Sequence, residues 1–253
     1  MPLREDRPAR ERLDLALVRR GLVDSRQKAQ ALIMAGNVLV GDVPATKSGQ
    51  QVADGVPIRL KERLRYVSRG GLKLEAVLDV FGVNPAGCSV LDVGISTGGF
   101  SDCLLQRGAA RVTGVDVGRG QLAWSLRTDP RVTLLESMNF RSFDPGILDP
   151  PADLVVIDVS FISLALILPV AALCMVPGGI CLPMVKPQFE LGPGEVGKGG
   201  VVRDTAARER AVEKVRCLAA GLGFECLGVA PAGVPGPKGN QEVFLHLRLT
   251  SRS

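Results

Sequence analysis

Val90-Leu91-Asp92-Val93-Gly94-Ile95-Ser96-Thr97-Gly98-Gly99-Phe100 is the stretch whose reading decides the fold. It reads as a short apolar strand that runs into a glycine turn. A helix then starts near Phe100, with Phe100, Cys103, Leu104 and Leu105 at core-facing spacing. Gly94, Gly98 and Gly99 give the turn conformations closed to other residues and let a ligand come close to the backbone. The helix start adds unpaired N–H groups and a positive dipole end. Such a turn suits a nucleotide-like ligand, although glycines also serve plain chain reversal. Val112-Thr113-Gly114-Val115-Asp116 is a second strand, and an acid at its end can accept ribose hydroxyls. The two stretches together point to a nucleoside cofactor.

The alternation continues outward. Leu72-Lys73-Leu74 begins a helix upstream, and the residues after Asp116 turn into another around Leu122. Arg131–Leu135 is a third strand, and Asp153–Asp158 a fourth. The fourth is a continuous apolar run ending in an acid, as in strands buried on both faces of a parallel sheet. Leu164–Met175 reads as a buried helix, Pro177-Gly178-Gly179 as a turn, and Ile180–Val185 as a strand ending at Lys186-Pro187. A Gly-rich loop, an amphipathic helix over Arg203–Gly221, and strands over Phe224–Ala230 and Gln241–Leu249 complete the pattern. The class is α/β, a Rossmann-like doubly wound sheet. Ligands of such sheets gather at the strand C-terminal ends, so Gly94–Gly98, Asp116, Asp158 and Lys186 share one crevice. A lysine after a buried strand commonly caps a sheet edge, but Asp158 ends the neighbouring strand and can face it.

A smaller unit precedes the sheet. Residues 1–10 read as a disordered tail, 11–63 as a small α/β domain, 64–71 as a basic linker and 72–250 as the main domain. Within the small unit, Arg12–Val18 opens a helix with Leu13, Leu17 and Val18 as its apolar stripe, ended by Gly21. Ser25 caps a second helix, Arg26–Ala35, ended by Gly36. Val38–Val40 and Val56–Leu60 are short strands. Residues 1–75 hold 15 Lys/Arg against 9 Asp/Glu, and the rest 16 against 17. The surplus in the N-terminal third suits a surface that touches a polyanion, and a solvated basic face reads the same way.

Other classes are argued against by composition. One Trp and one Tyr speak against a base-stacking surface built from aromatics. The six cysteines form no CxxC pair and lie mostly in apolar runs, as buried thiols of a reducing compartment. The single histidine, His246, excludes His-based metal clusters and speaks against Ser-His or Cys-His catalysis, so no metal is expected. The N-terminal residues lack the apolar core of a secretory signal, and the chain is expected to be cytoplasmic. Val159–Val185 carries no charge, and a membrane span is its alternative reading. Pro169, the Pro-Gly-Gly turn, and the flanking Asp158 and Lys186 favour a buried helix and strand instead.

Arg12-Leu13-Asp14, Ser25-Arg26, Lys28-Ala29, Ile33, Gly36-Asn37-Val38 and Val52…Gly55…Ile58 resemble an S4 RNA-binding domain. In that family two helices present basic side chains to the backbone of structured RNA, which gives affinity without reading sequence. The resemblance implies RNA contacts at Arg12, Arg19, Arg20, Ser25, Arg26 and Lys28, with Arg65 and Arg69 following in the linker. The family's Val-Asn-Gly turn is replaced here by Val40-Gly41-Asp42.

The larger domain resembles the FtsJ-like ribose 2′-O-methyltransferases, and with an S4 domain in front, the TlyA-type (haemolysin A family) rRNA methyltransferases. The motifs are Ser68-Arg69-Gly70-Gly71-Leu72-Lys73-Leu74, the 92–100 turn, Val115-Asp116-Val117-Gly118, Asp158–Leu164, Lys186-Pro187-Gln188-Phe189-Glu190 and Gly236-Pro237-Lys238-Gly239-Asn240-Gln241-Glu242. The resemblance implies S-adenosylmethionine as cofactor, a cytidine 2′-hydroxyl of ribosomal RNA as acceptor, and ribosomal subunits as partners. It maps a Lys-Asp-Lys-Glu tetrad onto Lys73, Asp158, Lys186 and Glu242, with Lys186 as base or orienting group. It implies cofactor contacts at Asp92, Gly94, Ser96, Thr97, Gly98, Gly99, Phe100, Asp116, Val117, Met138 and Asn139; Asn139 reads equally well as a turn residue. Ile95 stands where the family has alanine, and is expected to tighten or block the methionine end of the pocket. Two other classes stay open: a non-catalytic ribosome-assembly protein with a relic pocket, and a membrane-lytic protein. Oligomeric state is not legible.

Overall fold

The computed structural model describes residues 10–61, 65–192, 194–197, 199–234, 236 and 239–250. Residues 1–9 of the expected tail lie outside the described residues, as do Leu64, Pro237 and Lys238. The chain divides into two compact units, Met1–Arg63 and Leu64–Ser253.

The first unit is built on two helices, α1 (Leu13–Arg19) and α2 (Arg26–Met34). Arg10, counted above with the tail, begins β1 (Arg10–Arg12). The other strands are β2 (Val38–Val40), β3 (Val43–Ala45), β4 (Gln51–Ala53) and β5 (Ile58–Leu60). β1 pairs with β4, and β2 lies between β3 and β5, all antiparallel. Leu13, Ala16, Leu17, Ala29, Ile33 and Val38 close the core. Ser25 caps α2 by accepting the Lys28 N–H, which fixes where the second helix starts. Asp14 is buried among these apolar residues. Its carboxylate accepts two bonds from Arg12 at 3.0 Å, one from Arg26 at 2.9 Å and one from Gln30 at 3.0 Å. Those donors, Arg12 foremost, hold the carboxyl well below the usual carboxylate range against the opposing pull of burial.

The second unit opens with α3 (Arg69–Phe81), so Arg69, Gly70 and Gly71, read above as linker, form its first turn. The buried Tyr66 ring occupies the space a side chain at Gly71 would need. The chain then runs through β6 (Ser89–Val93), α4 (Gly99–Gln106), β7 (Arg111–Val115), α5 (Trp124–Arg127), β8 (Val132–Leu135) and β9 (Ala152–Ile157). It continues through α6 (Leu168–Leu173), β10 (Met175–Val185), α7 (Pro187–Glu190), α8 (Thr205–Gly221), β11 (Phe224–Pro231) and β12 (Val243–Leu249). One seven-stranded sheet results, in the order β11-β12-β10-β9-β6-β7-β8. β12 runs antiparallel to both its neighbours, and the other paired strands are parallel.

Three elements differ from the reading of the sequence. The helix after Asp116 shrinks to the single turn of α5. The helix expected over Leu164–Met175 is a 3-10 turn, Leu164–Leu166, followed by α6. The Pro177-Gly178-Gly179 turn is a bulge inside β10, where the register against β9 shifts between Met175 and Ile180. Among the described residues no helix is long and apolar enough to cross a membrane.

Asp14→Ala should cost the first unit about 2 kcal/mol or more, because two guanidiniums lose a shared buried partner. Its depressed carboxyl contributes stability that is intact above the ordinary value of 3.8 and lost as pH falls below it. Residues 1–63 hold no aromatic residue, so amide hydrogen exchange of α1 and α2 is the readout. Equal protection in wild type and variant would refute the role.

Candidate active site

Strand order reverses between β6 and β9, and the crevice opens above that boundary. Gly94 follows β6 and lies against the chain leaving β9. A Cβ there would sit 2.5 Å from the Asp158 carbonyl oxygen, and φ is +86°, so the position suits glycine alone. The Gly94 N–H donates to Val115 O at 2.8 Å, which locks the turn onto β7. Asp116, at the end of β7, accepts the Ser96 N–H at 2.8 Å and the Gly118 N–H at 2.7 Å. Ser96 stands at φ +48°, and its Oγ donates to Gln121 Oε1 at 3.1 Å.

Two adjoining cavities meet at this turn. The first, of about 490 Å3, is lined by Gly94, Ser96, Asp116, Val117, Met138 and Asn139, with Phe140, Ile162 and Ile167 among its apolar walls. Asn139 uses its Oδ1 to accept the Arg141 N–H, as a turn residue does. The second cavity, of about 400 Å3, holds Lys73, Asp158, Lys186 and Glu242, with Ser68, Arg69, Thr97, Gly99 and Phe100 around them. Gly94, Ser96, Asp158 and Ser160 line both.

The four charged residues form two ion pairs. Lys73, on the buried face of α3, pairs with Glu242 just before β12, and both are buried. Among the described residues the other Glu242 oxygen, Oε1, has no hydrogen-bond partner. Lys186 leaves β10 and lies 2.5 Å from Asp158 Oδ1, while its Nζ donates to Ser160 Oγ at 2.9 Å. Each pair thus brings one positive and one negative group to the lining of the cavity.

Not every residue expected to touch cofactor lines a cavity. Asp92 is 1 % exposed, lines neither, and accepts the Ser101 hydroxyl at 2.7 Å. Burial pushes its carboxyl up to about 7, with the charges of Asp158 and Asp116 adding to the rise and Ser101 opposing it. Gly98, at φ +92°, is the N-cap of α4, and a Cβ there would strike Leu126 and Leu122. Ile95 lines the second cavity. Its side chain is 4 % exposed and fills the space above Gly114, where an added Cβ would lie 2.2 Å from Ile95 Cδ1. The β-branched group is absorbed by the missing side chain on β7.

The basic residues singled out for RNA are mostly engaged locally. Arg12 and Arg26 hold Asp14, Arg19 pairs with Glu11 and Asp54, and Lys28 pairs with Asp24. Arg20 Nη1 donates to Val56 O at 2.6 Å. Ser25 is occupied as the α2 cap. Arg65 pairs with Glu75 and lies 5.4 Å from the Tyr66 ring centre. The side chains of Arg19, Arg26, Lys28 and Arg65 stay 53–60 % exposed, so their outer faces are open to a polyanion. Arg69 is exposed, makes no ion pair among the described residues, and borders the second cavity.

Two residues had only motif membership to mark them. Phe161 lines the first cavity, is 92 % exposed and stands at φ +63°, an outlier for a bulky residue. Ser160 joins both cavities and receives Lys186. The Asp-x-Ser-Phe order carried that information only once the loop's shape was known.

Comparison with known proteins follows the same division. A model described as FtsJ-like methyltransferase matches residues 66–249, and one described as S4 domain matches residues 11–58. The 16S/23S rRNA (cytidine-2'-O)-methyltransferase TlyA of Mycobacterium tuberculosis is 49% identical over 94% of this chain and 90% of its own. Hemolysin A of Brachyspira hyodysenteriae is 37% identical over 93% of this chain and 98% of its own. A solved structure that carries the name hemolysin, from Streptococcus thermophilus, matches with a TM-score of 0.74 at 42% identity, covering 96% of this chain and 90% of that one.

The raised Asp92 carboxyl has a measurable consequence. Its contribution to stability is complete below the unfolded value near 3.8 and is lost as pH rises to about 7. The loss is at most about 1.4 kcal/mol per pH unit. Thermal unfolding from mildly acidic to mildly alkaline pH should show wild type losing stability and Asp92→Asn losing much less. Parallel pH profiles would contradict this.

Proposed function

The chain belongs to the FtsJ-like methyltransferase family and carries an S4 domain ahead of it. From that premise we propose that it transfers a methyl group from S-adenosylmethionine to the 2′-hydroxyl of a cytidine ribose in ribosomal RNA. The observation that carries this reading is the pair of Lys–carboxylate contacts around one cavity, which adjoins a second cavity suited to a nucleoside.

The residues fit the cofactor. Gly94 lets the Asp158 backbone close onto the turn that borders both cavities, Asp116 ends β7 where ribose hydroxyls need an acceptor, and the apolar walls suit an adenine. Ile95 borders the second cavity but packs its side chain over Gly114, which takes up the β-branched group and weighs against a relic pocket. When bound, S-adenosylmethionine supplies an electrophilic methyl group on a sulfonium. The chain's part is to bring the ribose oxygen into line with it. Lys186 Nζ has a carboxylate oxygen and a hydroxyl oxygen on two of its donor directions, which leaves the third to orient the 2′-oxygen, whose proton is released to solvent as the oxygen is methylated. Lys73 is braced by Glu242, whose open Oε1 accepts a ribose hydroxyl. The exposed Phe161 ring offers a face to the acceptor base, since recognised RNA bases are splayed out and stacked. The S4 unit grips RNA backbone through its half-exposed arginines. Ribosomal RNA as acceptor makes the cytoplasm its place of action.

Lys186→Ala should lower methyl transfer to ribosomal subunits by about two orders of magnitude. Cofactor binding, measured by calorimetry, should persist. Undiminished transfer would remove Lys186 from the reaction. Ile95→Ala should leave cofactor affinity near that of wild type, and a large gain would restore Ile95 as an obstruction.

A further inference from the structure

β9 hands the chain to Asp158, and the loop that follows ends in the 3-10 turn at Leu164. The segment after β10 runs beside this loop and grips it twice. At one end Lys186 pairs with Asp158 and donates to Ser160. At the other, Glu190 accepts the Ser163 hydroxyl at 2.6 Å and the Leu164 N–H at 2.8 Å. Glu190 is 3 % exposed, and these two donors answer its buried carboxylate.

Phe161 stands between the two grips. Its left-handed backbone is strained for a bulky side chain, and such strain persists only where the surroundings over-determine it. Its ring lies 5.2 Å from that of Phe189, the residue before Glu190. The Glu190 backbone oxygen serves a different purpose, accepting Lys214 Nζ from α8 at 2.6 Å. Carboxylate and carbonyl therefore have separate tasks that substitution can separate.

We propose that Glu190 is a positioning residue: with Lys186 at the far end, its carboxylate holds the loop so that Phe161 keeps its left-handed shape and presents its ring to the acceptor nucleotide. The inference rests on the methyl-transfer reading above. Glu190 touches neither cavity; it acts through Phe161.

Glu190→Gln keeps the volume but turns one acceptor into a donor, which faces either the Leu164 N–H or the Ser163 hydroxyl. With saturating cofactor and ribosomal subunits, kcat should fall about ten-fold or more. The S-adenosylmethionine Kd should stay at its wild-type value, and the thermal midpoint should fall by no more than a few degrees. Ser163→Ala, which removes one donor from the opposite side, should reproduce part of the fall. Lys214→Met should leave kcat unchanged. In a Phe161→Gly background the Gln substitution should cost little more, because the pair acts through one element. Wild-type turnover in both Glu190→Gln and Ser163→Ala would overturn the proposal. So would a fall in kcat that comes with lost cofactor affinity and a midpoint lowered by more than a few degrees in both variants, or full additivity with Phe161→Gly. A wild-type protein that binds cofactor and methylates no ribosomal RNA would instead overturn the parent reading, and the proposal with it.

Discussion

The close approach of Gly94 to the backbone of Asp158 is the contact on which the rest depends. It brings the ends of β6 and β9 together at the point where the sheet changes direction. Any side chain at Gly94 would push the Asp158 loop outward, taking Lys186 and Ser160 with it. One missing Cβ thus sets the spacing of both cavities at once. The same economy recurs at Gly114, whose empty side takes up Ile95, and at Gly71, whose empty side takes up Tyr66. In all three places a larger neighbour is accommodated by an absent one.

The second dependence is electrostatic. Each lysine of the crevice has its own carboxylate, so neither bears an uncompensated charge in a largely enclosed site. Splitting the four groups into two pairs also gives each pair its own anchor. Lys73–Glu242 joins the first helix of the unit to its last strand, and Lys186–Asp158 joins the ends of β10 and β9. Asp92, beneath the turn, has only Ser101 among the described residues, and its buried carboxyl is correspondingly reluctant to ionise.

Much of this was legible in the chain because buried parallel strands leave continuous apolar runs. β6, β7, β9 and the second half of β10 announce themselves that way, and their terminal residues name the crevice. The strands β1, β3 and β4 were not legible, since they lack the apolar β-branched run that marks β2 and β5 and their pairing is set by partners elsewhere in the chain. Asp92 read as a ligand contact because it precedes the glycines; only burial distinguishes a supporting acid from a lining one. The basic residues of the first unit read as free cations because sequence does not show that Arg12 and Arg26 converge on Asp14. Phe161 and Glu190 stood in plain view within motifs. Their meaning lay in a left-handed backbone and in contacts across 26 residues and more of chain, neither of which a residue pattern encodes.

β12 runs against its neighbours, so Glu242 reaches the crevice by preceding a strand where the other acids follow one. It is also the last of the crevice residues to be synthesised. The charge balance around Lys73 therefore closes only when the first helix and the last strand of the second unit are both in place, so this side of the crevice depends on the whole sheet rather than on one βαβ half of it.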